Sequence, residues 1–270
     1  MPKPMNARAI SVDERRFGGI GRLYGKRALE RLARARVAVV GVGGVGSWTV
    51  EALVRSGVGT VALIDLDDVC LTNTNRQLPA LEETVGRPKV EVLAERMRRI
   101  HPGAEIRPIA QFFLESTAEA LLEPGYDWVI DAVDRMSVKA LIIARCRERG
   151  YGVLTLGGAG GRRDPTQVRC ADLAVSGGDA LLRQVRRRLR ETHGWNGGRN
   201  GEPWGVPAVF SAERQVFPGS DGEVCTTPEP GENLRMDCAS GYGAASFVTG
   251  AFGFAAAAEV VRRLVEPGAE

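Results

Sequence analysis

The sequence predicts an α/β protein: a doubly wound, mostly parallel sheet with a C-terminal antiparallel extension and a closing helix. Three observations lead there. A strand, a glycine-rich turn, a helix and a second strand follow one another over Val37–Asp65. Strand-like and helix-like segments then alternate as far as Gly158, the pattern of parallel strands joined by crossover helices. Beyond Gly158 the style changes to a flexible turn, short strands, a basic helix and a long final helix of small residues. This divides the chain into a nucleotide-binding core over 11–158 and an extension over 159–266 packed on the same domain.

Ser11–Ala35 precede the first strand. Asp13–Arg22 read as a polar, glycine-punctuated arm, and Lys26–Ala33 as a helix with Ala28, Leu29 and Leu32 inward. Arg15, Arg16 and Arg22 in the arm could reach a phosphate or merely solvate its surface. Val37–Val40 is a short run of apolar, mostly β-branched residues, as buried parallel strands have. Gly41-Val42-Gly43-Gly44-Val45-Gly46 follows at once and satisfies G-x-G-x-x-G. Ser47–Ser56 has helical spacing, Gly57–Gly59 stop it, and Thr60–Ile64 form a second strand ending in Asp65. Such glycines let the backbone approach an anionic phosphate at a helix N-terminus. A carboxylate at the end of the second strand suits ribose hydroxyls. The unit is Rossmann-like and holds a nucleotide, without saying which one.

Thr72-Asn73-Thr74-Asn75-Arg76-Gln77 is a polar run just past a strand's C-terminal end, where open parallel sheets bind ligands. Asn side chains can bond a purine edge or a phosphate, and Arg76 can fork onto phosphate oxygens. The plainer reading is a turn and a helix cap. Gly86-Arg87-Pro88-Lys89 open a helix over Val90–Ile100. A lysine at a helix start opposes the dipole, which calls for a reason. Ala104–Ile109 read as a strand and Ser116–Leu122 as a helix. Asp127–Asp131 are a further buried strand, continued by Ala132-Val133-Asp134. Asp134 suits magnesium shared with phosphate oxygens; it also suits the N-cap of a helix over Val138–Arg149. Gly152–Leu156 are the next strand.

In the extension, Gly157–Gln167 turn into a strand over Val168–Ala171. Ala180–Glu191 are helical, and Arg183, Arg187 and Arg190 share one face. That stripe is either a solvated face or a dock for an RNA backbone. His193–Gly205 read as a mobile loop. Val206–Val216 and Glu223–Thr226 read as antiparallel strands joined by the Pro218–Gly222 turn. Ala239–Ala258 carry no charge over a length that could span a bilayer, but Gly, Ala, Ser and Thr dominate it. A tightly packed core helix and no true membrane span is the reading adopted, with Phe247–Leu264 closing the domain.

Composition bounds the rest. With 44% hydrophobic and 26% charged residues this is ordinary globular material, and a net charge of +3 neither demands nor excludes nucleic acid. The five cysteines, Cys70, Cys146, Cys170, Cys225 and Cys238, include no C-x-x-C pair, so no zinc is expected. Their odd number and the nucleotide fold suggest free thiols in a reducing cytoplasm. The first residues have no apolar core like that of a signal peptide.

The order GVGGVGSW, LIDLD, TNTNRQ, GRPK, VIDAVD resembles the ThiF/MoeB/HesA group of ubiquitin-activating-enzyme-like adenylyltransferases. RFGGIGRLYG, GGAGGRRDPTQ and MDCASGYGA narrow the similarity to members that dehydrate threonylcarbamoyladenosine in tRNA. The resemblance covers nearly the entire chain. It implies ATP at Gly41, Gly43, Gly44, Gly46, Asp65 and Asp67. Asn73, Asn75 and Arg76 would hold adenosine and phosphate, Lys89 the phosphates, and Asp134 the Mg2+. Where the group has Asn after that Asp, this chain has Arg135, which puts the local cation geometry in question. An N-terminal arginine, Arg16 or Arg22, would reach the γ-phosphate of a partner subunit, so a homodimer is implied. A monovalent cation and a cysteine desulfurase partner are further implications. Cys238, in a loop before a helix start, is either an acyl acceptor or a small buried residue.

The implied reaction activates a carboxylate beside the tRNA anticodon as an acyl-adenylate, then closes a ring with loss of AMP. Three alternatives stand beside it. Activation of a sulfur-carrier protein's C-terminal glycine is disfavoured by the missing Cys-x-x-Cys pairs. An NAD-dependent oxidoreductase leaves TNTNRQ, Lys89 and Asp134 without a task. A sulfur-trafficking scaffold is compatible as an additional role.

Overall fold

The computed structural model describes residues 13–196, 202–228 and 242–266. Its first elements are α1 (Glu14–Tyr24), α2 (Lys26–Arg34), β1 (Arg36–Val40), α3 (Gly46–Arg55), β2 (Thr60–Ile64), α4 (Lys89–Ile100), β3 (Glu105–Ile109) and α5 (Ala118–Leu122). There follow β4 (Trp128–Asp131), α6 (Met136–Glu148), β5 (Gly152–Leu156), β6 (Val168–Asp172), α7 (Ala180–His193), β7 (Pro207–Ser211), β8 (Phe217–Pro218), β9 (Val224–Cys225) and α8 (Ser246–Val265).

Seven strands form one sheet in the order β3-β2-β1-β4-β5-β7-β6. Every pair is parallel except β6 with β7. The chain winds outward from β1 to β3, then crosses back to place β4 on the other side of β1. That reversal opens a crevice above the C-terminal ends of β1 and β4, where doubly wound sheets bind ligands.

The apolar runs explain the layers. Along β1, Val37 and Val39 enter one core while Ala38 and Val40 enter another. β2 does the same with Val61 and Leu63 against Ala62 and Ile64. The first core is covered by α2, α3, α4 and α8, the second by α5, α6 and α7. Both faces are buried, so the strands need no polar alternation. Each fully buried valine or leucine stabilises by about 1.5–3 kcal/mol.

The small residues of α8 serve packing. A Cβ on Gly253 would stand 2.7 Å from the Val45 carbonyl oxygen and 2.8 Å from Trp48 Cβ, so glycine lets α8 press on the start of α3. Among the described residues no helix is long and apolar enough to cross a membrane.

β3 is one edge of the sheet. The amide of Glu105 bonds the Gly59 carbonyl, and the Ile109 carbonyl accepts from Asp65. Odd residues of β3 therefore face β2, and Ile106 and Pro108 face outward.

Three expectations change. The arm over Asp13–Arg22 is the helix α1: the Asp13 carboxylate caps it by accepting from the Arg15 amide at 3.1 Å, and Phe17 is buried. The hairpin forms differently. β7 belongs to the main sheet between β5 and β6, and β9 pairs with β8 alone. Asp134 does not cap α6, whose N-cap residue is Arg135.

Candidate active site

A cavity of about 570 Å3 fills the crevice. Its base is the glycine turn. Gly41 has φ +84° and donates to the Ile64 carbonyl at 2.8 Å. A Cβ on Gly46 would lie 1.9 Å from the Gly41 carbonyl oxygen, so the turn closes only with glycine there. Gly46 supports the turn and does not itself line the cavity. Among the described residues the amides of Gly43, Gly44 and Val45 make no hydrogen bond. These donors, at the start of α3, form a cradle for an anion.

Asp65 directly follows β2 and organises this turn. Its Oδ2 accepts from the Val42 amide at 2.8 Å and its Oδ1 from the Asp67 amide at 2.9 Å. Burial pushes its carboxyl above the usual value, although these bonds and the Lys89 charge pull the other way. A carboxylate keeps acceptor capacity beyond two bonds, so ribose hydroxyls can still be received.

Lys89 begins α4 and is 5% exposed. Its Nζ lies 2.9 Å from Asp67 Oδ2, and its amide donates to the Asp67 carbonyl. A lysine at the positive end of a helix is thus held by one carboxylate at the cavity wall. A bound phosphate would share this ammonium or take it over.

The polar run 72–77 is stapled in place. The buried Asn73 accepts from the Cys70 amide at 3.1 Å. Arg76 Nη1 donates to the Thr72 carbonyl and to Asn75 Oδ1. The Arg76 carbonyl accepts from Trp48 Nε1 and Thr249 Oγ1, tying the loop to α3 and α8. Asn73 and Arg76 line the cavity. Asn75 does not; its amide nitrogen bonds the Ala244 carbonyl at 2.7 Å.

Asp134 lines the opposite wall, is exposed, and makes no hydrogen bond or ion pair among the described residues. Beneath it lies a buried ion pair. Lys139 Nζ stands 3.0 Å from Asp131 Oδ2 and donates to the Val133 carbonyl at 3.0 Å. Thr155 Oγ1 donates to the same Asp131 oxygen at 2.6 Å. Both charges are fully buried, and the pair fixes the turn that presents Asp134.

Other singled-out residues lie elsewhere. Arg16 bonds Asp13 and the Ile100 carbonyl, at the far end of α4 from Lys89. α4 has 12 residues, so the two ends are about 18 Å apart. Neither Arg16 nor Arg22 lines the cavity of its own chain. On α7, Arg183 and Arg187 are exposed, Arg187 pairing with Glu191. Arg190 leaves that face: its guanidinium lies 5.1 Å from the centroid of Trp204. Cys238 lies outside the described residues.

Several lining residues were not singled out as site residues from the sequence. Gln77 is buried, and its Oε1 has no hydrogen-bond partner among the described residues. Gln111 to Leu114 follow β3, and Gly157 to Gly160 follow β5. The signal that could have found them is position, since each segment begins at a strand's C-terminal end.

A doubly wound sheet with an amide cradle, an acid after β2 and a lysine at the cavity wall defines a nucleotide-binding α/β protein. The chain belongs to the ThiF family, whose model matches residues 19–270. It is 46% identical over 255 residues to the tRNA threonylcarbamoyladenosine dehydratase of Escherichia coli, covering 94% of this chain and 95% of the relative. The dehydratase of Haemophilus influenzae is 45% identical over 253 residues, covering 94% of each. The crystal structure of the E. coli dehydratase in complex with ATP superposes with a TM-score of 0.83. It is 42% identical and covers 94% of this chain and 96% of that one.

Proposed function

We propose that the chain dehydrates threonylcarbamoyladenosine in tRNA, closing a ring on the modified base beside the anticodon with consumption of ATP. The single observation that carries this is similarity to a dehydratase, 46% over 94% of the chain and 95% of the relative. The substrate's side-chain carboxylate attacks the α-phosphorus of ATP, and pyrophosphate leaves. The resulting acyl-adenylate is attacked from within the same side chain, AMP departs, and the net change is loss of water.

The residues present suit this reaction. The free amides of Gly43, Gly44 and Val45 receive phosphate oxygens. Lys89 and Arg76 line the cavity and would neutralise negative charge growing on the leaving pyrophosphate; fixed charges of that kind stabilise the transition state. Asp65 and Asp67 flank the turn for ribose and lysine. No protein base is required, because the nucleophile comes from the substrate.

Magnesium fits Asp134. The carboxylate has no hydrogen-bond or ion-pair partner among the described residues and lines the cavity. Among the described residues no three His, Cys, Asp or Glu converge on a metal; magnesium, bound through one or two carboxylates and substrate phosphates, needs no such cage. When bound it would neutralise phosphate charge. Whether a monovalent cation also acts is read by comparing turnover in potassium and in a bulky organic cation.

A homodimer is proposed on an apolar strip. Phe247 is 59% and Phe254 50% exposed, one heptad apart on α8, and Phe254 meets Trp48 edge to face. The family resemblance, and not this strip, is what suggests that Arg16 or Arg22 serves the other subunit's nucleotide. Sedimentation at micromolar concentration checks it. A cytoplasmic location follows from the tRNA substrate. A cysteine desulfurase partner rests on the family resemblance and is checked by co-purification.

The reading is tested by mass spectrometry of tRNA nucleosides after incubation with ATP and the protein. Conversion of the modified nucleoside to a product lighter by one water supports it. Unchanged nucleoside, with pyrophosphate released only when a carrier protein ending in Gly-Gly is supplied, sinks it.

A further inference from the structure

A second groove opens from the mouth of the nucleotide cavity. It holds about 370 Å3 and shares Phe113, Leu114, Arg135 and Val138 with that cavity. Arg188 and His193, from the last turns of α7, close its far side. Arg135 and Arg188 are exposed, and their side chains make no hydrogen bond or ion pair among the described residues. Glu115 also faces the groove, but Arg145 is paired with it. The uncompensated charge is therefore positive, above an apolar floor of Phe113, Val138 and Leu141.

We infer that this groove receives the RNA strand flanking the modified base, with phosphates at Arg135 and Arg188 and a neighbouring base on the apolar floor. The inference rests on the proposed function and adds the path of the substrate. The reacting carboxylate hangs from a base within a polynucleotide. When it reaches the α-phosphate of ATP, the adjoining nucleotides must leave through an opening continuous with the cavity. The groove provides that continuity. Its two unpaired guanidiniums match phosphates, and its apolar floor matches the face of a base; single-stranded RNA is held by this combination. A neutral peptide tail would leave both guanidiniums without partners.

The α7 stripe expected from the sequence faces elsewhere. Arg183 and Arg187 do not line this groove, while Arg188, one residue further on, does. The α7 contribution to RNA binding is thereby placed on the helix side that turns toward the active site.

The test is fluorescence anisotropy of the full chain without nucleotide, so that no reaction runs, using labelled tRNA that bears threonylcarbamoyladenosine, over a range of salt. Arg188→Glu should weaken tRNA binding about tenfold and lower the slope of log affinity against log salt by about one. Arg99→Glu makes the same charge change on the exposed far end of α4 and should keep wild-type affinity within about twofold. Thermal stabilisation by ATP should be unchanged in both. Wild-type tRNA affinity in Arg188→Glu, or an equal loss in Arg99→Glu, overturns the inference. Binding is read without turnover, so the groove and the dehydration reaction can fail separately.

Discussion

Lys89 Nζ and Asp67 Oδ2 stand 2.9 Å apart at the wall of the nucleotide cavity, the lysine side chain nearly buried and the aspartate half exposed. The pair aims an ammonium at the cavity before any phosphate arrives. Lys89→Ala should lower kcat for pyrophosphate release about 100-fold or more, the scale seen when one preorganised donor to a developing charge is removed. Thermal unfolding should change little, because Asp67 can be solvated. Near-normal turnover in this variant would remove Lys89 from the mechanism.

Asp134 makes no hydrogen bond or ion pair among the described residues, so its removal should be felt in chemistry and not in folding. Asp134→Ala should abolish turnover while stability stays within about 0.5 kcal/mol of the parent, as for surface sites without partners. Magnesium titration of ATP-dependent stabilisation gives the check. A variant that still responds to magnesium as the parent does would show that the ion sits elsewhere.

Gly46 has no room for a methyl group against the Gly41 carbonyl. Gly46→Ala should cost about 1–3 kcal/mol through the forced backbone shift, and it should lose ATP-induced stabilisation because the amide cradle moves. Urea unfolding with and without ATP separates the two effects.

Lys139 is paired with Asp131 out of reach of water. Lys139→Ala leaves the Asp131 carboxylate buried without its counter-charge and should cost about 3–5 kcal/mol. Lys139→Met combined with Asp131→Asn should cost less than Lys139→Ala alone. The order of the two urea midpoints decides it.

Glu51 joins α3 to α4 through Arg96 and is also bonded by Arg55. Burial alone would raise its carboxyl, but the two guanidiniums together outweigh burial and hold it below its usual value. A carboxylate depressed in the folded state stabilises above its unfolded pKa, and that contribution is lost as pH falls through the folded value. Glu51→Gln should therefore lower Tm at neutral pH, with a difference that shrinks in acid below about pH 4. A pH-independent difference would show that packing, and not charge, links the two helices.

Much of this was legible from residue order. β2 and β5 fall on the expected boundaries because short β-branched runs between glycines have few other uses in a parallel sheet. The turn at Gly41 and the acid at Asp65 are legible because each follows a strand end directly, and Lys89 because a lysine at a helix start opposes the dipole. α1 was missed because Gly18, Gly19 and Gly21 lower helix propensity; the Asp13 cap and the burial of Phe17 override that. Arg190 was placed on a face by helical spacing alone, but Trp204, remote in sequence, covers it. The Lys139–Asp131 pair joins a helix to the strand before it, and nothing in the residue order of either element pairs the two. The second groove exists only once α6 and α7 pack.

Pro108 has no amide hydrogen and occupies an outward-facing position on β3, between Arg107 and Ile109 at the border of the sheet. A stranger's strand that tried to extend the sheet there would find a missing donor halfway along the ladder. Fibrillar growth from that border is thereby discouraged. Crowded cellular conditions should leave the protein dispersed, and replacing Pro108 by valine should make it more prone to thioflavin-positive aggregates.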